Sequence, residues 1–456
     1  MKTMLIKNAL MIATFDDKNS KHEQADIYIE GPQIKEIGQN LKQQAESIID
    51  ATGMIAIPGL INTHHHFYQT LTRAMPAVQN AKLFDWLVYL YEIWRHLTPE
   101  AVYWSSLGAL GELLLSGCTT TTDHLYLFPC AQTGMLIDEE IRAAAEIGIR
   151  FHPTRGSMSR GRSKGGLPPD DVVQDEETIL EDSIRLIETY HDPVPFSMCS
   201  IALAPCSPFS VTPELMMQTA ELAREKGVLL HTHLAETRDE DDYCQQTLGM
   251  RPLAYMESLG WLGEDVWFAH CVHLNKDEIK IMAETKTGVA HCPTSNMRLG
   301  SGAAPIPEMI EAGVLVGLAV DGSASNDSSD MLGEARQCML LHRLVKGVGA
   351  MPPETALRLA TRGGASIFRR GDIGSLEAGK AADIAIFDMS RLDYAGSLHD
   401  PLAALALCGI NHRAHTVIVN GETVVENGEL QTINTKAVAA EMNMHARKMA
   451  EAALKK

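Results

Sequence analysis

Between Ile57 and Val345 short runs of β-branched and apolar residues alternate with longer segments whose apolar positions recur at helical spacing, the pattern of repeated βα units wound on a parallel sheet. Eight strand candidates end at or near Thr63, Asp123, Gly156, Cys206, Ala235, Cys271, Cys292 and Asp321. The segments between them predict helices over Pro99–Ser116, Glu177–Tyr190, Pro213–Lys226 and Lys276–Thr285. Eight strands with intervening helices predict an α/β chain of the (β/α)8 TIM barrel class. The competing doubly wound sheet is weakened by the absence of a GxGxxG turn.

The two ends have a different texture. MLIKNALMIA and ADIYIEG alternate like hairpin strands, and ADIAIFD and HTVIVNGETVVENG do the same near the other end. They predict a small composite β-domain from residues 1–56 and 375–435, a barrel over 57–374 and a C-terminal helix over 436–456. The first apolar run is broken by Lys7 and no small-residue cleavage site follows, so it reads as a strand rather than a signal peptide. The longest uncharged stretch, Pro193 to Pro213, contains five prolines, which argues against a spanning helix.

Composition narrows the class of partner. With 45% hydrophobic and 21% charged residues the chain is an ordinary globular one. Its 39 Lys and Arg against 58 Asp and Glu leave a net charge of −19 and no dense basic run, which argues against nucleic acid as a partner. Nine Cys, an odd number without CxxC, point to a reducing, cytoplasmic setting in which each thiol packs as a small hydrophobe. The partners expected are a small molecule and water, with no membrane; a homo-oligomer is compatible with all of this.

The chemistry stands at the strand ends. His64 and His66 close the strand-like run IAIPGLINT; two apart on a strand, they face one point while His65 faces away. Alone, such a pair is explained equally well by packing. His231 and His233 repeat the spacing at another strand end, Glu236 follows three residues on, His270 ends WFAHC, and Asp321 lies in GLAVDGSASND. Active sites of (β/α)8 enzymes gather at the C-terminal ends of the strands, so these elements are expected to converge.

In combination and in order, PGLINTHHH (58–66), HTHLAET (231–237), AHCVH (269–273), HCPTSN (291–296) and VDGSASND (320–327) resemble the amidohydrolase superfamily. The branch is that of cytosine, guanine and adenosylhomocysteine deaminases and triazine hydrolases. The resemblance implies that His64, His66, His233 and Asp321 hold one divalent ion per chain, zinc or else Fe(II). Glu236, His270 and Asp321 would then be the catalytic groups. Three imidazoles and a carboxylate suit those metals better than magnesium or calcium. Binuclear relatives carry a bridging carboxylated Lys on the fourth strand, and FSMCSIALAPC has none. The HxE and PCxxC signature of the other zinc deaminases is absent, as is HExxH.

The resemblance is fullest to bacterial 8-oxoguanine deaminases, through HFYQTLTRAMPA, APCSPFS and HCPTSNMRLGSG. It implies hydrolytic deamination of 8-oxoguanine to urate and ammonia, with isocytosine as a second substrate. Gln69 stands where guanine deaminases use an amide, and Cys206 where adenosylhomocysteine deaminases place a His, which disfavours a nucleoside. Asp321 disfavours the chlorohydrolases that carry Thr there. The residues expected on the substrate are Gln69, Cys206, Arg155 and Asn296. Each has a plain packing alternative: Arg155 in a structural ion pair, Cys206 as a strand residue, Gln69 as a loop amide. His65, His231 and His273 are expected to pack or orient neighbours; His124 and Trp86 read as lining the mouth, with a core role the favoured alternative for Trp86. The Gly- and Pro-rich loop Ser159–Asp171 reads equally as a lid or as inert surface. Rival readings are a related triazine or hydantoin-type hydrolase, or a metal-free binding protein, which would be expected to have lost ligands retained here.

Overall fold

The computed structural model describes residues 2–132, 135–408 and 412–455. Positions 1, 133–134, 409–411 and 456, which fall within the expected domain ranges, lie outside the described residues. The chain opens with β1 (Thr3–Ala13), β2 (Lys21–Glu30), β3 (Gln33–Gly38), β4 (Ser47–Asp50) and β5 (Met54–Pro58). The barrel strands follow: β6 (Leu60–Asn62), β7 (Cys118–Leu125), β8 (Arg150–Ser157), β9 (Ala202–Pro205), β10 (Leu229–Leu234), β11 (Val266–His270), β12 (Gly288–His291) and β13 (Val316–Leu318). Last come β14 (Ile384–Asp388), β15 (Thr416–Val419), β16 (Glu422–Glu426) and β17 (Glu429–Leu430).

Strands β6 to β13 form one sheet in sequence order, every neighbouring pair parallel. Across the seam the Thr63 amide donates to the Leu318 carbonyl at 3.2 Å and the Asp321 amide to the His64 carbonyl at 3.1 Å, so the sheet is nearly closed. The second sheet runs β17-β16-β15-β14-β5-β1-β2-β3, with β4 beside β1, and therefore joins both ends of the chain. Its core of Ile6, Ile12, Ile27, Ile384 and Ile418 is separate from the large cluster around the barrel.

Local chemistry sets the helix ends. Thr98 precedes Pro99 and accepts the Ala101 amide, and Thr212 precedes Pro213 and accepts the Leu215 amide, each a cap followed by proline at the first helical position. Asn275 and Glu278 form a reciprocal capping box on Lys276–Thr285. Gly227 ends the Pro213–Lys226 helix at φ 70°, a left-handed position suited to glycine.

One element differs from expectation. IAIPGLINT reads as a single strand, but the structure divides it between the two sheets, β5 before Gly59 and β6 after it. A Cβ on Gly59 would lie 2.1 Å from Thr119 Oγ1, so only glycine lets the chain pass from one sheet to the other there. Among the described residues no helix is long and apolar enough to cross a membrane. The segment 159–171 is tied down: Arg95 and Arg162 pair with Asp171 and Glu92, and Asp170 accepts the Ser163 amide.

Candidate active site

His64, His66, His233, Glu236, His270 and Asp321 meet at the C-terminal mouth of the barrel, each less than a tenth exposed except His233, which is partly buried. Backbone strain accompanies them. Ala235 (φ 49°), His270 (φ 73°), Cys271 (φ 51°) and Asp321 (φ 63°) all adopt the left-handed conformation just where β10, β11 and β13 end. Side chains rarely accept this conformation, and it collects at functional sites.

The hydrogen-bond partners decide which ring nitrogens carry protons. His66 Nδ1 lies 2.7 Å from the His124 carbonyl, and His233 Nδ1 2.7 Å from the Cys206 carbonyl. A carbonyl only accepts, so both Nδ1 atoms carry the hydrogen and both Nε2 atoms are bare. For His64 the logic runs through one more ring. His231 Nδ1 donates to the Trp267 carbonyl (2.9 Å), so its Nε2 must accept from His64 Nδ1 (2.8 Å), which leaves His64 Nε2 bare as well.

Three lone pairs therefore face one another. The Nε2 atoms of His66 and His233 are 3.1 Å apart, and Asp321 Oδ1 lies 3.3 Å from His64 Nε2 and 3.4 Å from His66 Nε2. Neutral imidazoles cannot hydrogen-bond through two bare nitrogens. Burial opposes protonating them, holding His66 below its ordinary value and His233 down to about 4. A cation at the centre resolves the conflict, and the backbone and His231 contacts are the outer supports that metal-binding imidazoles require. The donor set fits a divalent metal. His124, expected only to line the mouth, joins this group: its Nε2 donates to the Ala204 carbonyl (2.8 Å), and its buried Nδ1 has no partner.

The acid–base groups stand beside this centre. Asn296 Nδ2 donates to His270 Nδ1 (3.0 Å), so His270 presents an N–H at Nε2, 3.6 Å from Glu236 Oε2 and 4.0 Å from Asp321 Oδ2. Both distances exceed a direct hydrogen bond. Burial, then the Asp321 and Glu240 carboxylates, push the Glu236 carboxyl well above its ordinary range. Ser325 Oγ donates to Asp321 Oδ2 at 3.3 Å.

Gln69 and Cys206 line the same cavity. Gln69 Oε1 is buried without a partner, and burial raises the Cys206 thiol to about 12. Arg155 and Asn296 are placed elsewhere, a correction to the expected substrate contacts. Arg155 points out of β8 toward the Glu176–Tyr190 helix, where it binds Asp182 (2.6 Å), Gln174 (2.8 Å) and the Gly156 carbonyl and lies over Phe128. Asn296 stands behind His270. Trp86 meets both of its readings: it is buried in the core cluster and lines the cavity with its Nε1 unpartnered, together with Tyr91, Tyr126 and Phe209. No spacing in the sequence marks these apolar walls. Glu240, also on the cavity, was missed although Thr237-x-x-Glu240 has capping-box spacing. His65 faces away, Nε2 to Ser329 Oγ (2.9 Å), and His273 Nε2 donates to the Ser301 carbonyl (3.0 Å).

A (β/α)8 barrel with imidazoles and carboxylates at its mouth defines a class of metal-dependent hydrolases, and the chain belongs to one of its families: residues 55–424 match the Amidohydrolase family. It is a hydrolase acting on carbon–nitrogen bonds. It is 49% identical to the 8-oxoguanine deaminase of Pseudomonas aeruginosa over 443 residues, 96% of this chain and 97% of that protein. It is 35% identical to the hydroxydechloroatrazine ethylaminohydrolase of Pseudomonas sp. strain ADP, over 96% and 94% of the two chains. Among solved structures it resembles the atrazine chlorohydrolase of Arthrobacter aurescens TC1 complexed with zinc, with TM-score 0.93, 36% identity and coverage of 97% and 100%.

Proposed function

We propose that this protein hydrolytically deaminates 8-oxoguanine, giving urate and ammonia, with isocytosine as a second substrate and zinc held by His64, His66, His233 and Asp321. The observation that carries the substrate is the 49% identity, over nearly the whole chain, to a protein of that activity. Support for the metal comes from the three bare Nε2 atoms and one carboxylate oxygen gathered at a single point.

Zinc bound there supplies a Lewis acid that lowers the pKa of water enough to provide hydroxide near neutral pH. Glu236 takes one proton from the attacking water and returns it to the ring nitrogen beside C2. Its raised pKa suits a group that must give the proton back. The N–H at His270 Nε2 points into the same space and donates to the oxygen that develops negative charge at C2. Asp321 Oδ2, held by Ser325, takes the second proton from the oxygen added at C2 and passes it to the departing amine. The C2–N bond breaks, ammonia leaves, and the oxygen of water becomes the new carbonyl. Gln69 and Cys206 offer polar partners to the edges of a planar base between aromatic walls.

The test is ammonia release by zinc-loaded protein from 8-oxoguanine, isocytosine, guanine, cytosine, adenosine and hydroxydechloroatrazine. Turnover is expected to be highest with 8-oxoguanine. Guanine or cytosine turned over well above it would sink the substrate while leaving the chemistry standing.

A further inference from the structure

Glu240 is a buried carboxylate for which the reaction above has no use. It follows β10 in the short helix Arg238–Tyr243, whose cap is Thr237. In a capping box the glutamate at the third helical position returns to the amide of the cap residue. Glu240 reaches further upstream. Its Oε1 accepts the Ala235 amide and its Oε2 the Glu236 amide, both at 2.9 Å. One of the two peptides it grips is thus that of the proposed proton carrier. The other belongs to Ala235, a residue with a Cβ held at φ 49°, a conformation that has to be enforced by its surroundings.

The far side of the same turn is tied to β11. Cys271 donates its amide to the Leu234 carbonyl and His273 to the Ala235 carbonyl, both at 3.0 Å. Arg251 braces the arrangement by binding Asp241 (2.8 Å), Glu278 (2.8 Å) and the His273 carbonyl (2.8 Å). The peptides that place Glu236 are therefore locked to those that follow His270, and Glu240 supplies the two acceptors on the opposite edge.

We infer that Glu240 is a positioning residue for the reaction: by holding the Ala235 and Glu236 amides it fixes the left-handed turn that aims the Glu236 carboxylate at the reacting water. This rests on the deaminase reading of the site.

Glu240→Gln in the full-length, zinc-loaded protein tests it, because the amide keeps one acceptor oxygen and loses the other. With 8-oxoguanine, kcat is expected to fall about tenfold to hundredfold, the scale of a small misplacement of a catalytic group, while KM and zinc content stay within about twofold of wild type. In metal-free protein, hydrogen exchange at the Ala235 and Glu236 amides is expected to accelerate about tenfold or more, since the bond holding them is lost. Adding Ala235→Gly to Glu240→Gln is expected to recover part of the lost kcat, because glycine takes this conformation without a Cβ penalty.

Wild-type kcat in E240Q, or a loss of kcat without faster exchange and without recovery by glycine, overturns the inference. Thr237→Ala separates positioning from ordinary capping and applies even if E240Q does not fold. It is expected to lower thermal stability and leave kcat within about twofold, and a tenfold loss of kcat in T237A would reduce Glu240 to a helix cap. Wild-type protein that releases no ammonia from any base retires the deaminase reading instead, and amide exchange in E240Q still reports on the turn.

Discussion

Two buried ionic clusters lie at opposite ends of the barrel, and they are built to opposite rules. At the start of β8, Arg150 is fully buried, and all its donors are used. Nε and one Nη meet the two oxygens of Asp383 at 3.1 Å, and the remaining bonds go to the Phe196 and Ser197 carbonyls and to Asn420. Asp383 also accepts the Asn420 amide at 2.7 Å. This joint links the barrel to the end-to-end β-sheet and is complete in itself. At the mouth, by contrast, three imidazoles are each satisfied on the outer nitrogen and bare on the inner one. A buried polar group without a partner is costly, so a cluster that repeats this omission around one point is built for a ligand, whereas a saturated cluster of similar burial is structural.

The sharpest way to break this contrast is to remove the metal. Chelation is expected to abolish ammonia release and lower the thermal midpoint, with both restored by zinc, since bound ligand stabilises the folded state; full activity in protein shown by elemental analysis to be metal-free would end the reading of the mouth. Next in size, Glu236→Gln is expected to lose about 10²- to 10⁴-fold in kcat, the range of a general acid–base group, at unchanged zinc content. Asp383→Ala addresses the other cluster. Leaving Arg150 buried and unpaired is expected to cost about 3–5 kcal/mol in denaturant unfolding, with kcat of the folded fraction unchanged, and a comparable loss of kcat at normal stability would erase the distinction.

A buried acid pair beneath the mouth tests the same idea with one proton in place of a metal. Burial pushes Asp123 up to about 8, and Glu140, buried beside it, is also raised by burial and by Asp123. Folded values above the unfolded ones mean that the pair's stabilisation is present at low pH and is lost as pH rises through about 8. Unfolding free energy is expected to decline by up to about 1.4 kcal/mol per pH unit for one proton between the ordinary carboxylate range near pH 4 and about pH 8, and to level off above it. Glu140→Gln, which carries its hydrogens at every pH, should flatten that decline; an unchanged slope would move its source elsewhere. The smallest effect expected is that of Cys206→Ala, a rise in KM for 8-oxoguanine of up to roughly tenfold, the value of one neutral hydrogen bond. A variant equal to wild type would leave Cys206 as the backbone anchor of His233 alone.

Much of this was legible in the chain. The eight barrel strands end within three residues of their expected positions, and Pro213–Lys226 and Lys276–Thr285 match their predicted helices, because strand and helix periods and caps are local signals. The strand ends also carried the ligand and acid–base candidates, since an HxH pair at a strand terminus states both its depth and its face. The run through Pro58 and Gly59 was misread as one strand because the close approach of Thr119 comes from a residue distant in sequence. Arg155 read equally as a substrate contact or a structural ion pair because its side of β8 depends on register, which the sequence leaves open, and the structure shows the ion pair.

By itself, then, the sequence determined the barrel, the joined ends and the set of groups at the mouth, all encoded in periodicity and short spacings. Only the tertiary structure decided which nitrogen of each ring is bare, because that depends on carbonyls brought up from other strands: His124 for His66, Cys206 for His233, Trp267 through His231 for His64. The same holds for Glu240, whose spacing predicts a helix cap and whose two bonds instead hold the turn that carries Glu236.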